Sequence, residues 1–220
     1  MRLNTSKKWF LIALGTVVWS ATMVKSGWEY KYGIGFWGPN GHDGVWHIAL
    51  TESLARGSLE MPIFAGEKIK NYHLGFDLAL TELHTITRIP VVNLYFQILP
   101  PILAVLIGWL TYKLTQNNWS VFFVYFGGSF GWLLGKGESA FWSQQAISTL
   151  INPPFALSLV LLLGGLLLLQ KQKYILAALV FAVLPHIKIY AGLLALGGLL
   201  LASLKNRKLI WVFAGSLVVY

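Results

Sequence analysis

Apolar runs broken by short polar or Gly/Pro-rich intervals make up most of this chain, and the runs set the expected architecture. They cover about 9–24, 91–112, 119–134, 155–169, 174–185, 189–204 and 209–220. A helix needs roughly 20 apolar residues to cross a hydrocarbon core about 30 Å thick. The pattern therefore predicts an all-α fold, a polytopic transmembrane helical bundle. The stretch Tyr174–Leu204 is too long for one straight span at about 1.5 Å per residue. As a single helix it would also put Gln170-Lys-Gln-Lys173 and Lys205-Asn-Arg-Lys208 on opposite sides, so it is read as a hairpin turning at Pro185-His-Ile-Lys188. Trp9–Val24 could serve as the h-region of a signal peptide. The aromatic residues after it, Trp28, Tyr30, Tyr32, Phe36 and Trp37, resemble an interfacial belt and favour a retained span. The last run stops while still apolar, so the expectation is an N-terminal fragment of a longer chain.

Between the first two runs lies a long loop, 27–90, whose centre from Pro39 to Asp77 is the longest polar interval in the sequence. Gly33, Gly35, Gly38, Pro39, Asn40 and Gly41 predict a turn-rich, non-helical approach. Asp43 then precedes a short amphipathic helix, Val45–Arg56, stopped by Gly57. Ser58–Lys70 reads as irregular, and a second helix, about His73–Thr87, repeats Leu74, Leu78, Leu83 and Ile86 at helical intervals. On that helix His73 and Asp77 would share a face. Pro100-Pro101 predicts a kink in or entry to the second span. A second polar loop, Lys136–Asn152, carries Glu138, Trp142, Gln144 and Gln145, and Pro153-Pro154 opens the next span where proline suits a helix start.

Composition agrees with this pattern: 56% of residues are hydrophobic and 11% charged, with mean hydropathy +0.63. A soluble domain carries about 25% charged residues. The net charge of +9 would suit a nucleic-acid binder, but its distribution argues for membrane orientation instead. Arg2, Lys7, Lys8, Lys113, Lys171, Lys173, Lys205, Arg207 and Lys208 fall on one side with no acid among them, while every Asp, Glu and His falls on the other. This positive-inside pattern puts the N-terminus in the cytoplasm and loop 27–90 outside. With no cysteine, thiolate chemistry and Cys-based metal sites are excluded. Neither Gly-x-Gly-x-x-Gly nor a Walker loop is present.

Three segments, Gly41-His-Asp-Gly-Val-Trp-His47, Asn71-Tyr-His-Leu-Gly-Phe-Asp77 and Leu184-Pro-His-Ile-Lys-Ile-Tyr-Ala-Gly192, together with a first span followed by a long outer loop, carry a resemblance. The chain resembles the membrane glycosyltransferases of the GT-C fold, which use polyprenyl-phosphate-linked sugars. In some branches the loop acid belongs to an Asp-Glu pair, whereas Asp43 is followed here by Gly44. The resemblance implies an integral protein of a prokaryotic plasma membrane, serving the cell envelope. Its partners would be membrane lipid, the lipid-linked donor and a glycan, lipid or protein acceptor.

Inverting transfer needs a base for the acceptor hydroxyl and a cationic environment for the departing phosphate. Asp43 is the candidate base, with its pKa expected to rise through partial desolvation. His47, one turn later, would orient it. Lys188 and His186 at the hairpin turn are candidates for the lipid phosphate, with Lys68, Lys70 or Arg88 as alternates, and His73, Asp77 and Glu138 complete the proposed binding set. Trp28, Trp37, Trp46 and Trp142 could stack on a sugar or pack on isoprenoid. Bland readings stand beside these. Asp43 can cap a helix, His47 can merely fix the loop, His73 and Asp77 can form a solvated face, Glu138 can be a solvated loop charge, and Lys188 can snorkel to the interface. A divalent metal held by Asp43, His47, His73 and Asp77 is a further alternative, although the spacing matches no ligand motif and no metal ligand is assigned. A transporter or flippase, or a non-catalytic scaffold, would account for the same spans. The spans hold almost no ionisable residue, which disfavours transport.

Overall fold

The structure, a computed structural model, describes residues 5–36, 40–64, 66–127 and 149–217. It is mostly helical, in the order α1 (Thr5–Ala21), β1 (Trp28–Tyr30), β2 (Gly33–Gly35), α2 (Asn40–Ala55), α3 (Gly75–Thr87), α4 (Val91–Thr115), α5 (Asn118–Phe126), α6 (Pro153–Gln170), α7 (Tyr174–Ile187), α8 (Ile189–Ser203) and α9 (Lys208–Leu217). Among the described residues two helices, α4 with 25 residues and α6 with 18, are long and apolar enough to cross a membrane. Helices α7, α8 and α9 are apolar but shorter.

Local chemistry sets the boundaries. Asn152 caps α6 by accepting from the Phe155 backbone N–H at 3.2 Å, and Pro153 and Pro154 follow where a helix has no N–H to lose. Asn117 caps α5 in the same way, accepting from Trp119 N–H at 2.9 Å. Arg88 and Gln116 end α3 and α4 in the left-handed region. Just before Pro100 and Pro101, α4 widens into one π-helical turn, Leu94–Ile98. The prolines cannot donate to the carbonyls one turn back, and the wider turn replaces a sharp kink. The Gln97 side chain then reaches the carbonyls of Val24 at 3.1 Å and Ser26 at 2.6 Å, tying the chain after α1 to the start of α4.

Among the described residues two apolar clusters hold the helices. The first joins α1, α3, α4, α5 and α6 through Ile12, Trp19, Leu80, Leu103, Ile107, Tyr125 and Ala156. Within it the Trp19 indole donates to the Tyr125 carbonyl at 3.0 Å, and the Tyr125 hydroxyl donates to the Ala104 carbonyl at 2.6 Å. The second joins α7, α8 and α9 through Ala177, Phe181, Leu184, Ala195, Leu199 and Val212. Gly192 early in α8 packs against Pro185 late in α7, and Phe181 further back along α7 lines one pocket with Ala195 and Leu199 of α8, so α8 runs back alongside α7.

Several expectations change. The approach to the polar loop is not all turn: β1 and β2 form an antiparallel hairpin with Trp28 opposite Gly35, and the Tyr30 and Tyr32 rings stack at 5.2 Å. Helix α2 starts at Asn40, not Val45, so Gly41 is helical and Asp43 lies inside the first turn rather than capping it. Tertiary packing overrides glycine's poor propensity here, because a Cβ on Gly44 would come within 2.5 Å of the Phe96 ring of α4. Helix α3 begins at Gly75, leaving His73 ahead of it, so His73 and Asp77 do not share a helical face. Pro185 stays within α7, and the break narrows from four residues to Lys188 alone, which is extended at φ −153° and ψ 109°. The run expected over 119–134 is described as helix to Phe126, and its remainder falls outside the described residues.

Candidate functional site

Three segments far apart in sequence meet at the end of the fold where α2, α6 and the α7–α8 break come together. Asp43, in the first turn of α2, accepts from the Asn152 amide at 2.7 Å through Oδ2 and pairs with His42 Nδ1 at 2.9 Å through Oδ1. The Asn152 carbonyl oxygen in turn accepts from Lys188 Nζ at 3.3 Å. One amide thus bridges a carboxylate and an ammonium while also capping α6. The extended backbone at Lys188 interrupts two helices and aims its side chain at the bridge. Asp43 remains 39% exposed, open to a ligand.

The electrostatics differ from the expectation for Asp43. Burial pushes its carboxyl up, but hydrogen bonds from His42 and Asn152 and the positive potential of His42 and His47 outweigh it, and the pKa falls below the usual value. Burial lowers the Lys188 ammonium, against the opposing pull of Asp43 and Asp77. Burial also lowers His73, reinforced by the charge of Lys188. Tyr72 is raised by burial, and its hydroxyl accepts from the Trp46 indole at 2.8 Å.

Beneath this surface lies a second polar pair. His47 Nδ1 donates to Asp77 Oδ1 at 2.7 Å, with the His47 and Asp77 side chains only 3% and 0% exposed. His47 stacks on Tyr95 and meets the edge of Phe76. Thr81 adds a second tie between α2 and α3, donating toward the carbonyls of Asp77 at 2.8 Å and Thr51 at 3.4 Å. Buried Asp77 Oδ2 and His73 Nε2 have no hydrogen-bond partner among the described residues. On the other flank, the close approach of Gly75 to the His186 carbonyl, where a Cβ would be 2.7 Å away, seats α3 on the end of α7.

His47 therefore does not orient Asp43 by direct contact; Asp77 takes its ring nitrogen and His42 takes Asp43. Asp43 and Lys188 are brought together, with His73 and Asp77 close enough to affect Lys188 or be affected by it. His186 is exposed on the last turn of α7. Glu138, Trp37 and Trp142 lie outside the described residues. Among the described residues no group of three or more His, Asp or Glu side chains is arranged to hold a metal. In the sequence Asn152 looks like an ordinary loop residue. Its signal was its place immediately before Pro153-Pro154, where a capping residue is expected. The arrangement offers an ammonium, Lys188, and a partly exposed carboxylate, Asp43, on either side of one amide. Comparison with family models, with curated proteins and with solved structures gives no match for this chain.

Proposed function

We propose that the chain is a polytopic membrane glycosyltransferase of the GT-C kind, moving a sugar from a polyprenyl-phosphate donor to an extracytoplasmic acceptor with inversion. The observation that carries this reading is the Asn152 bridge, which keeps Asp43 and Lys188 one amide apart. Asp43, ionised at neutral pH, takes the acceptor hydroxyl proton as the new bond forms to the anomeric carbon. The bond from that carbon to the donor phosphate breaks with its electron pair on the phosphate oxygen. Lys188, with the Asn152 amide beside it, balances that charge at the membrane surface. The buried His47–Asp77 pair holds α2 on α3 and so fixes where Asp43 stands. The length and apolarity of α4 and α6, with the shorter apolar helices beside them, support an embedded bundle. The segregation of acids from the basic clusters supports placing the site outside.

The test supplies polyprenyl-phosphate sugars to membranes holding the protein and follows transfer to an acceptor glycan, lipid or protein. Asp43→Asn should lower transfer by about 100-fold or more, the usual yield of general-base catalysis, with an unchanged melting temperature. Lys188→Gln should lower turnover with the same donor. Transfer that survives Asp43→Asn at the wild-type rate removes the assignment.

A further inference from the structure

The basic end of the fold, opposite Asp43, holds a separate feature. Between the start of α1 and the start of α5 lies a cavity of about 670 Å³, walled by Phe10, Leu11, Trp119 and Phe122, with Lys7 and Asn118 at its polar rim. We propose that this groove takes an acyl chain of an anionic glycerophospholipid, with Lys7 on the headgroup phosphate. The proposal goes beyond the transferase reading and rests only on its membrane-embedded part.

Charge complementarity argues for this occupant. Neither α1, α4 nor α5 contains an Asp or Glu, so nothing on these helices competes for Lys7. Its neighbours are already engaged: Lys8 Nζ lies 4.7 Å from the Tyr112 ring centroid, and Lys113 Nζ lies 5.7 Å from that of Trp109. Lys7, among the groove-lining residues, is the cation left to face a ligand. Asn118, which lines the groove beside Lys7, brings no charge of its own, and its amide oxygen is buried with no hydrogen-bond partner among the described residues. Phe10 and Trp119 are 65% and 66% exposed, so the apolar walls open toward lipid. In a bilayer the acyl chain gains little by leaving one oily environment for another. Selectivity must therefore come from the headgroup, and a lysine at an anionic surface favours such a lipid by about fivefold.

Native mass spectrometry of the full chain, released from mixed micelles of equal phosphatidylglycerol and phosphatidylcholine, tests the site. The wild type should retain phosphatidylglycerol about fivefold over phosphatidylcholine. Lys7→Gln should remove the preference without lowering the melting temperature in phosphatidylcholine alone, while Lys173→Gln, on the same basic end but away from the groove, should keep it. Equal retention of the two lipids, a preference that survives Lys7→Gln, an equal loss in Lys173→Gln, or a lipid-free dimer covering the groove would each overturn the proposal. Alkaline extraction of the membranes separates the two failures: a chain released by alkali sinks the embedded reading, whereas one that stays embedded without the preference sinks only the lipid site.

Discussion

The buried His47–Asp77 pair yields the sharpest energetic expectation. Asp77 is fully buried, one of its carboxylate oxygens has no partner among the described residues, and His47 supplies the bond to the other. His47→Ala strips that carboxylate of its remaining side-chain donor and should cost about 3 kcal/mol or more, because leaving a buried polar group unsatisfied costs about 1–3 kcal/mol and a charged one more. Asp77→Ala leaves a buried imidazole N–H unpaired and should cost less, about 1–3 kcal/mol before packing losses. Replacing both residues with leucine removes the polar groups together and restores volume beneath Tyr95, so the double variant should be far more stable than the sum of the single losses predicts. The assay is a double-mutant cycle on His47→Leu and Asp77→Leu, read by denaturant unfolding in one detergent. Coupling of at least about 1 kcal/mol is expected for residues in contact. Losses that add to within about 0.5 kcal/mol would mean that the pair does not fasten α2 to α3.

Three further outcomes follow from the same geometry. Gly75→Ala should destabilise by about 1–3 kcal/mol in thermal unfolding, because the new Cβ meets the His186 backbone carbonyl, which no side-chain rotation can relieve. Asn152→Leu removes a helix cap, typically about 1 kcal/mol, and also the bridge; carboxyl NMR should show Asp43 titrating higher than in the wild type as burial is left less opposed. The folded-state pKa of His73 lies below its ordinary value of 6.5, so the unfolded chain binds more protons between the lowered value and 6.5. Stability should therefore fall as pH drops through that window, and His73→Gln should lessen the fall in melting temperature between neutral and mildly acidic pH.

What the sequence made legible was mostly local. Pro153-Pro154 after Asn152, Gly57 after α2 and the Lys188 break between apolar runs act through neighbouring backbone groups, so their effect can be read in place. The unread features depend on distant partners. Gly41 and Gly44 argue against a helix until Phe96 is seen to need the space beside Gly44. His47 sits one turn from Asp43, yet its partner is Asp77, supplied by a different helix. Desolvation of Asp43 can be guessed from a membrane-surface position, and the neighbouring His42 that does most to oppose it stands in plain sequence view, but that the His42 ring turns onto the carboxylate and that the Asn152 amide joins it from another part of the chain are tertiary facts. The strands Trp28–Tyr30 and Gly33–Gly35 are too short to show an alternation that separates them from an aromatic belt.

Everything functional in this account requires the Asp43–Asn152–Lys188 end to face out of the cell. The chain contains no cysteine, so single cysteines placed at Lys70 and Lys171, both exposed, give unambiguous labels. With a membrane-impermeant maleimide on intact cells, Lys70→Cys should be labelled at once and Lys171→Cys only after permeabilisation. The reverse pattern would put the carboxylate and its lysine in the cytosol and contradict the assignment.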